Sequence, residues 1–369
     1  MSNNLDNSRL PRYRTGAPQI DRQLAELLDS AGITENRDQI FEIMAAALRL
    51  GTDGADRLDV KITNAAIREM RRAFRVFAPF RGIPKVTVFG SARTQPGQPG
   101  FELARSFAQE MAEAGWMVVS GAGPGIMAAT IEGAGKERSL GVTIRLPFEP
   151  EESGLLFGDP KHASMKYFFT RKLMLIKESH AFVALPGGFG TLDETFELLT
   201  LLQTGKADMA PIVLLDPPGQ PFWAELDSFI DSQLISRGLV SADDRCLYRV
   251  VSTTHEAVEE IKTFWSTYNS LRWVGDDLVL RLNRTLTDAE IDQLQRDHAP
   301  ATTDGAGPRR SEPLPPEVAD GDRLDLARLV LKLDRRNYAA LRRLINDINR
   351  SADSDTATAR NDAATEGRA

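Results

Sequence analysis

The sequence contains little cysteine and little histidine: Cys246 is its single cysteine, and there are four histidines in 369 residues. One cysteine cannot form an internal disulfide, so a reducing, cytoplasmic compartment is expected. No two histidines have the spacing of metal ligands, so we expect no metal site and no cofactor. The first residues lack the apolar segment of a signal peptide, and no run of about 18 apolar residues occurs, so neither export nor a membrane span is indicated.

An excess of basic residues is also absent. Lys and Arg number 45 against 52 Asp and Glu, which gives a formal net charge of -7. Binding to a phosphate backbone normally requires a basic surface, so nucleic acid is not expected as a partner, and no membrane partner is expected either. A hydrophobic fraction of 42% with 26% charged residues is typical of a globular protein with a sizeable core.

Hydrophobic periodicity divides the chain into segments. Residues 1–18 and 351–369 are polar and predicted as disordered tails. Residues 19–82 contain three stretches with apolar residues every three or four positions, which predict an N-terminal helical cap. Within residues 83–270, short β-branched runs alternate with helical segments, which is typical of a parallel sheet. We therefore predict an α/β fold with a Rossmann-like, doubly wound sheet in this part of the chain.

The C-terminal part, residues 271–350, repeats one pattern. "LVLRLNR" and "LVLKLDR" are offset by 51 residues, and each is followed by a helical segment. This predicts a small accessory domain made of a βα repeat, with a flexible Pro/Gly-rich insert at 300–322. Such a repeat either binds a regulatory ligand or extends an interface between subunits, and the second interpretation is weakly favoured.

Three turns that follow predicted strands are rich in glycine. In a parallel sheet ligands lie beyond the carboxyl ends of the strands, where glycine permits close approach and a following helix offers free N–H groups. The turns therefore predict a phosphate site, although each alone would also suit a tight turn. Their residues are Gly90 with Ser91; Gly121, Gly123 and Gly125; and Gly187, Gly188 and Gly190.

The same turns argue against two common nucleotide sites. "SGAGPGIM" has Ile126 where a dinucleotide fingerprint has its third glycine, and no acidic residue ends the strand "GVTIRLP". The sequence also lacks the GK[ST] of a P-loop. A mononucleotide with a nearby carboxylate remains. Thr191 can cap the following helix or donate to a phosphate, and Glu194, three residues later, either completes a capping box or faces the sugar.

At "PGGFGTLDE", residues 186–194, the sequence resembles the LOG (Lonely Guy) family, formerly labelled lysine decarboxylases. The stretch fits the family signature PGGxGTxxE. Arg171 and Lys172 stand upstream at the spacing of the family's Arg-Lys pair, and the glycine turns follow in the family's order. The resemblance covers roughly residues 85–265, so the N-terminal helical region and the C-terminal repeat lie outside it.

This resemblance implies a Rossmann-like homodimer, or a higher homo-oligomer, that hydrolyses the N-glycosidic bond of a nucleoside 5'-monophosphate. The products would be a free base and ribose 5-phosphate. By the resemblance, Arg171 and Glu194 are catalytic, the phosphate loop comprises Gly187, Gly188, Gly190 and Thr191, and Lys172 assists in binding. Small family members have MHxRK where this chain has "YFFTRK", so base selectivity does not carry over.

Two other classes of function share these glycine turns. A non-catalytic nucleotide sensor would keep the phosphate loops, although a pure binder has no need of both Arg171 and Glu194. A DNA-processing relative with a similar core is disfavoured by the acidic charge balance.

Overall fold

The computed structural model describes residues 11–145 and 155–350. The tail predicted for residues 351–369 lies outside the described residues, as do residues 1–10 of the predicted N-terminal tail. The last two residues of the predicted strand "SLGVTIRLP" also lie outside them. The chain divides after Arg71 into two compact units, whereas the helical region was predicted to extend to residue 82.

The N-terminal helices are those that the periodicity predicts: α1 (Pro18–Ser30), α2 (Arg37–Thr52) and α3 (Arg57–Phe77). Apolar residues of α1 and α2 meet in a small buried cluster that contains Leu24, Leu28, Phe41 and Ala45. The division between the two units falls inside α3, so this helix contributes residues to both units.

The second unit is built on a sheet of seven parallel strands in the order β4-β3-β2-β1-β5-β6-β7. This arrangement confirms the predicted doubly wound α/β fold. The strands are β1 (Lys85–Phe89), β2 (Met117–Ser120), β3 (Ser139–Ile144), β4 (His162–Met165), β5 (Ala181–Ala184), β6 (Ile212–Leu215) and β7 (Tyr248–Val251).

Helices connect these strands and cover the sheet. Apolar side chains of β1, β2, β5 and β6 pack against α4 and α9 in one large buried cluster. The helices are α4 (Pro99–Glu113), α5 (Ile126–Ala134), α6 (Phe168–Lys177), α7 (Phe189–Gln203), α8 (Phe222–Phe229) and α9 (Thr254–Phe264), with a π-helical turn at Ile230–Ile235.

Two strands of the parallel sheet were not predicted. The strand β4 lies at one edge of the sheet and alternates half-buried His162 and Ser164 with buried Ala163 and Met165, so it lacks the β-branched run that marks the central strands. The strand β7 forms the other edge and is only four residues long. Short edge strands have weak sequence signals because one side of each is unpaired.

The C-terminal repeat forms a second sheet, which is antiparallel. Its strands are β8 (Tyr268–Val274), β9 (Asp277–Leu282), β10 (Arg309–Arg310) and β11 (Ala327–Leu331), in the order β10-β11-β9-β8. The two repeated motifs supply β9 and β11, which pair directly with each other, and they are followed by α10 (Asp288–His298) and by α12 at residues 338–350. This sheet belongs to the same compact unit as the parallel sheet, rather than to a separate domain that begins at residue 271.

The insert predicted to be flexible, residues 300–322, contains β10 and α11 (Pro315–Asp320). Ion pairs with the two repeated strands hold this insert in place. Arg281 of β9 and Arg328 of β11 are buried directly opposite each other, and Glu317 of α11 is fully buried between them, 2.7 Å from Arg281 Nη2. Although burial alone raises its pKa, hydrogen bonds from Arg281 and the Leu314 N–H hold the pKa of Glu317 below its usual range. The insert thus supplies the countercharge that the repeated strands require.

Close packing of α5 on α4 gives a stability prediction. A Cβ atom at Gly133 of α5 would lie 2.0 Å from the carbonyl oxygen of Arg105 in α4, so Gly133→Ala must push two helix backbones apart. We expect a loss of about 1–3 kcal/mol in the free energy of unfolding, measured by urea denaturation. Gly100→Ala in α4 is the control, because its nearest atoms lie at ordinary contact distances from 3.6 Å. An equal loss in both variants would contradict this packing argument.

Candidate active site

The strand order reverses between β1 and β5. From β1 the chain continues to β2 on one side, and from β5 it continues to β6 on the other, so the turns after these adjacent strands diverge. In open α/β sheets this divergence creates a crevice that binds ligands. A cleft of about 580 Å³ lies at this point. Its walls include Gly90, Ser91, Gly121, Arg171, Gly188, Gly190, Thr191 and Glu194.

The N-terminus of α7 opens into this cleft. Gly188 is its N-cap and no side chain caps the helix. The first hydrogen bond of the helix joins Leu192 N–H to Gly188 O, so the N–H groups of Phe189, Gly190 and Thr191 have no acceptor within the helix. A Cβ atom at Gly188 or Gly190 would meet nothing within 4 Å. This end of α7 therefore offers backbone donors and the positive end of a helix dipole to an anion.

Gly187 has a different structural role from Gly188 and Gly190. A Cβ atom at Gly187 would lie 2.2 Å from the hydroxyl oxygen of Thr191. Its absence lets this hydroxyl lie beside the turn, in a side chain that is itself buried. Because α7 already begins at Phe189, Thr191 is not its cap, and the interpretation of Thr191 and Glu194 as a capping box is wrong.

Arg171 and Glu194 form a buried ion pair in the cleft wall. Nη1 of Arg171 on α6 donates to Oε1 of Glu194 on α7 over 2.9 Å, and their side chains are only 11% and 12% exposed. Nε of Arg171 donates to the Val142 carbonyl of β3 over 3.0 Å. The guanidinium is therefore held on two sides, whereas no hydrogen-bond partner of Glu194 Oε2 is found in residues 11–145 and 155–350. That oxygen can accept from a ligand or a water molecule.

The environment of Glu194 favours its neutral form. Burial raises the pKa of this carboxyl above its usual range, and the nearby cations Arg171 and Lys172 oppose that rise only in part. A carboxylate whose pKa is raised in a cleft is a stronger base than a solvated one.

Three of the predicted ligand-binding glycines permit close packing of the turns. A Cβ atom at Gly90 would lie 2.7 Å from the side chain of Ile126, and one at Gly123 would lie 2.9 Å from Met127. Gly125 has a φ of 70°, and a Cβ atom there would lie 2.3 Å from the Ser91 carbonyl, which accepts the first N–H of α5. The turn after β2 thus closes onto the turn after β1, and the first N–H group of α5 is engaged by the Ser91 carbonyl.

Gly121 acts through Arg171. A Cβ atom there would lie 2.4 Å from Nη2 of Arg171 and 2.6 Å from the sulfur of Met127. The turn after β2 consequently leaves space for the guanidinium, and Gly121 also lines the cleft.

Lys172, a predicted binding residue, does not line the cleft. Its ammonium group lies 2.7 Å from a carboxylate oxygen of Asp193 and 2.8 Å from one of Glu197. Burial would lower the pKa of Lys172, but these two carboxylates outweigh it and the pKa is raised. Lys172 therefore joins α6 to α7, beside the ion pair of Arg171 and Glu194.

Arg93 and Phe189 are among the cleft residues that were not predicted. Arg93, the last letter of "GSAR", brings a cation to the lining of the cleft. Phe189 lies at its rim with 93% of its surface exposed. The sequence offered a signal for each of them: Arg93 is a basic residue in a glycine turn, and Phe189 is an aromatic residue between two glycines.

The described ranges contain no group of three or more His, Cys, Asp or Glu side chains arranged to hold a metal ion. Among their helices, none is both long enough and apolar enough to span a bilayer.

The parallel sheet, the cleft at its switch point and the open N-terminus of α7 define a Rossmann-like α/β protein. A family model described as "Possible lysine decarboxylase" matches residues 125–261. A protein of Oryza sativa named probable cytokinin riboside 5'-monophosphate phosphoribohydrolase is 30% identical over 166 residues, 44% of this chain and 76% of its own. This chain belongs to that family, the LOG family.

Other relatives agree with this assignment. A second probable cytokinin riboside 5'-monophosphate phosphoribohydrolase of Oryza sativa is 29% identical over 52% of this chain and 85% of its own. A cytokinin riboside 5'-monophosphate phosphoribohydrolase of Arabidopsis thaliana is 29% identical over 42% and 70%. The solved molybdenum cofactor carrier protein of Chlamydomonas reinhardtii covers 49% of this chain and 96% of its own at 23% identity, with a TM-score of 0.34, which is too low to support an inference.

The ion pair gives a prediction for the titration of Glu194. Arg171→Met removes the largest interaction that lowers the pKa of this carboxyl, so the pKa should rise further and the group should ionise at higher pH. Carbon NMR of a glutamate-labelled chain measures this titration, with Glu194→Gln to assign the signal. Lys177→Met, at the exposed end of α6, is the control and should leave the signal unchanged. A pKa that is unchanged in Arg171→Met would show that the pair is not formed in solution.

Proposed function

We propose that this protein hydrolyses the N-glycosidic bond of nucleoside 5'-monophosphates, AMP-like nucleotides and cytokinin riboside monophosphates among them, to a free base and ribose 5-phosphate. One observation carries the proposal: the buried carboxylate of Glu194 shares a cleft with the open N-terminus of α7. The names of the relatives in the same family support it.

The phosphate binds at the N-terminus of α7. The N–H groups of Phe189, Gly190 and Thr191 and the hydroxyl of Thr191 donate to its oxygens, and Arg93 adds a positive charge. Gly188 and Gly190 leave the space that a phosphate group requires.

The ribose then faces Glu194. When the bond between C1' and the base nitrogen breaks, its electron pair goes to the base, which takes up a proton, and positive charge develops on the ribose. A water molecule adds to C1' and releases a proton. The free oxygen Oε2 of Glu194 binds a ribose hydroxyl or this water, and its negative charge stabilises the transition state.

Arg171 acts by positioning Glu194. Its Nε and Nη1 donors are already engaged by Val142 and Glu194, and a guanidinium with a pKa above about 12 is a poor proton donor. Its contribution is to fix the carboxylate oxygen that points away from the pair and to oppose the rise that burial causes in the pKa of Glu194.

The direct test is product analysis. The purified protein is incubated with AMP, GMP, CMP, UMP, IMP and isopentenyladenosine monophosphate, and free bases and ribose 5-phosphate are separated by chromatography. Glu194→Gln should lower kcat by about 10² to 10⁴, because it removes one positioned acid or base. Glu197→Gln is the matched control: it lies on the same helix, pairs with Lys172 and should retain activity.

Two results of this assay would contradict the proposal. If the wild-type chain cleaves no nucleotide while AMP raises its melting temperature, the protein is a nucleotide sensor and the hydrolase proposal is wrong. If Glu194→Gln and Glu197→Gln lose activity equally, the carboxylate of Glu194 has no special role.

We also propose that a second copy of the chain is the partner. The outer surface of α6 and α7 exposes large apolar side chains, whereas Thr170, Arg171, Met174 and Leu175 of α6 are buried. Phe169 and Leu173 lie about one turn apart on α6, and exposed apolar side chains grouped in this way commonly mark an interface between proteins. The exposed side chains are Phe168, Phe169, Leu173 and Phe196.

Light scattering tests this interface. The wild-type chain should have at least twice the mass of one chain, and the double change Phe169→Glu and Leu173→Glu should lower it, because charges in an apolar interface are costly to desolvate. Leu239→Glu, at another exposed leucine, is the control and should leave the mass unchanged. If the double variant keeps the wild-type mass, the interface lies elsewhere.

A further inference from the structure

A second cavity, of about 750 Å³, lies at the amino ends of the parallel strands, the opposite edge from the active-site cleft. Pro84 precedes β1, Trp116 precedes β2 and His180 precedes β5, and all three line the cavity. Its other wall is formed by β8 of the C-terminal sheet. The cavity therefore exists only because the βα repeat packs here, and its volume is in the range of small-molecule sites.

Aromatic rings form one wall of this cavity. The rings of Trp116 and His180 are 6.4 Å apart at 86°, and those of His180 and Trp265 are 5.9 Å apart at 68°. Tyr268 continues the series, 5.5 Å from Trp265 at 30°. Trp116 and Tyr268 are buried, so Trp265 and His180 are the rings of this series that retain surface for a planar ligand.

His180 adds a hydrogen-bond donor to this wall. Its Nδ1 accepts from the backbone N–H of Lys85 over 3.2 Å, so the proton of the neutral ring is on Nε2. Burial lowers the pKa of His180 to about 4, which keeps the ring neutral at physiological pH. No acceptor for Nε2 is found among the residues that the structure describes, and a ligand can take that place.

The remaining polar groups set the charge of the cavity. Asp208 and Asp325 bring two negative charges and Arg323 one positive charge. Nη1 of Arg323 donates to Oδ1 of Asn269 over 2.8 Å, which holds the guanidinium and the amide together at the lining. Since the net charge is negative, a phosphate group is disfavoured here, whereas an uncharged ligand with both donors and acceptors can be bound.

From these features we propose that this cavity is a second ligand site, which binds an uncharged purine or pyrimidine base, free or as its nucleoside. The indole of Trp265 stacks on the planar base, and His180, Asn269 and Arg323 bind its polar edge. This inference does not depend on the reaction proposed for the active-site cleft, because it rests on the lining of the cavity alone. It assigns ligand binding to the C-terminal repeat.

Calorimetric titration of the full chain with adenine, adenosine, cytosine and AMP tests the site. The titrations use Glu194→Gln as the background so that AMP is not consumed. Trp265→Leu removes one stacking surface and should weaken adenine binding about tenfold to hundredfold. Asn269→Trp fills the cavity and serves as a second variant if Trp265→Leu does not fold. Trp273→Leu is the matched control, since Trp273 is on the same strand, β8, but stacks with Arg335 outside the cavity.

The proposal is supported if adenine or adenosine binds and both cavity variants weaken that binding while Trp273→Leu does not. Binding of AMP should be the same in all of these variants, because its site is the active-site cleft. Adenine binding that persists unchanged in Asn269→Trp, or the absence of binding by all three uncharged ligands at millimolar concentration, would overturn it.

Discussion

The buried ion pair of Arg171 and Glu194 requires an environment in which both charges are compensated. Removing two such charges from water costs several kcal/mol each, and only good geometry with additional hydrogen bonds recovers that cost. Here α6 and α7 supply the two charges, and β3 supplies the Val142 carbonyl. In the turn after β2, Gly121 has no Cβ atom that would collide with the guanidinium. Four segments of the parallel sheet domain therefore have to meet correctly before the carboxylate points into the cleft.

Only part of this site was predictable from the sequence. The signature at residues 186–194 predicted Glu194 and a phosphate loop, and the family spacing predicted Arg171. The structure brings Arg171 and Glu194 together in the wall of one cleft. The sequence could not distinguish glycines that face a ligand from glycines that permit packing, because both types lie in turns after strands. The structure separates the two types. Gly188 and Gly190 border open space, whereas neighbouring atoms at Gly90, Gly123 and Gly125 occupy the position that a Cβ atom would take.

The C-terminal region was predicted only in outline. The repeated motifs correctly indicated two strands followed by helices, but periodicity does not determine whether two strands pair in parallel or antiparallel. The insert was predicted as flexible from its Pro and Gly content. Its order depends on the burial of Glu317 between Arg281 and Arg328, three residues far apart in the sequence. Once folded, this region also forms one wall of the aromatic cavity at the amino ends of the parallel strands.

The central claim is that one cleft holds the phosphate of a nucleotide at the N-terminus of α7 and its ribose beside Glu194. A crystal structure of Glu194→Gln with AMP tests this claim most directly. We expect phosphate oxygens at hydrogen-bonding distance, about 2.7–3.2 Å, from the N–H groups of residues 189–191, with C1' facing residue 194. AMP bound with its phosphate away from α7, or with its base rather than its ribose beside residue 194, would contradict the account.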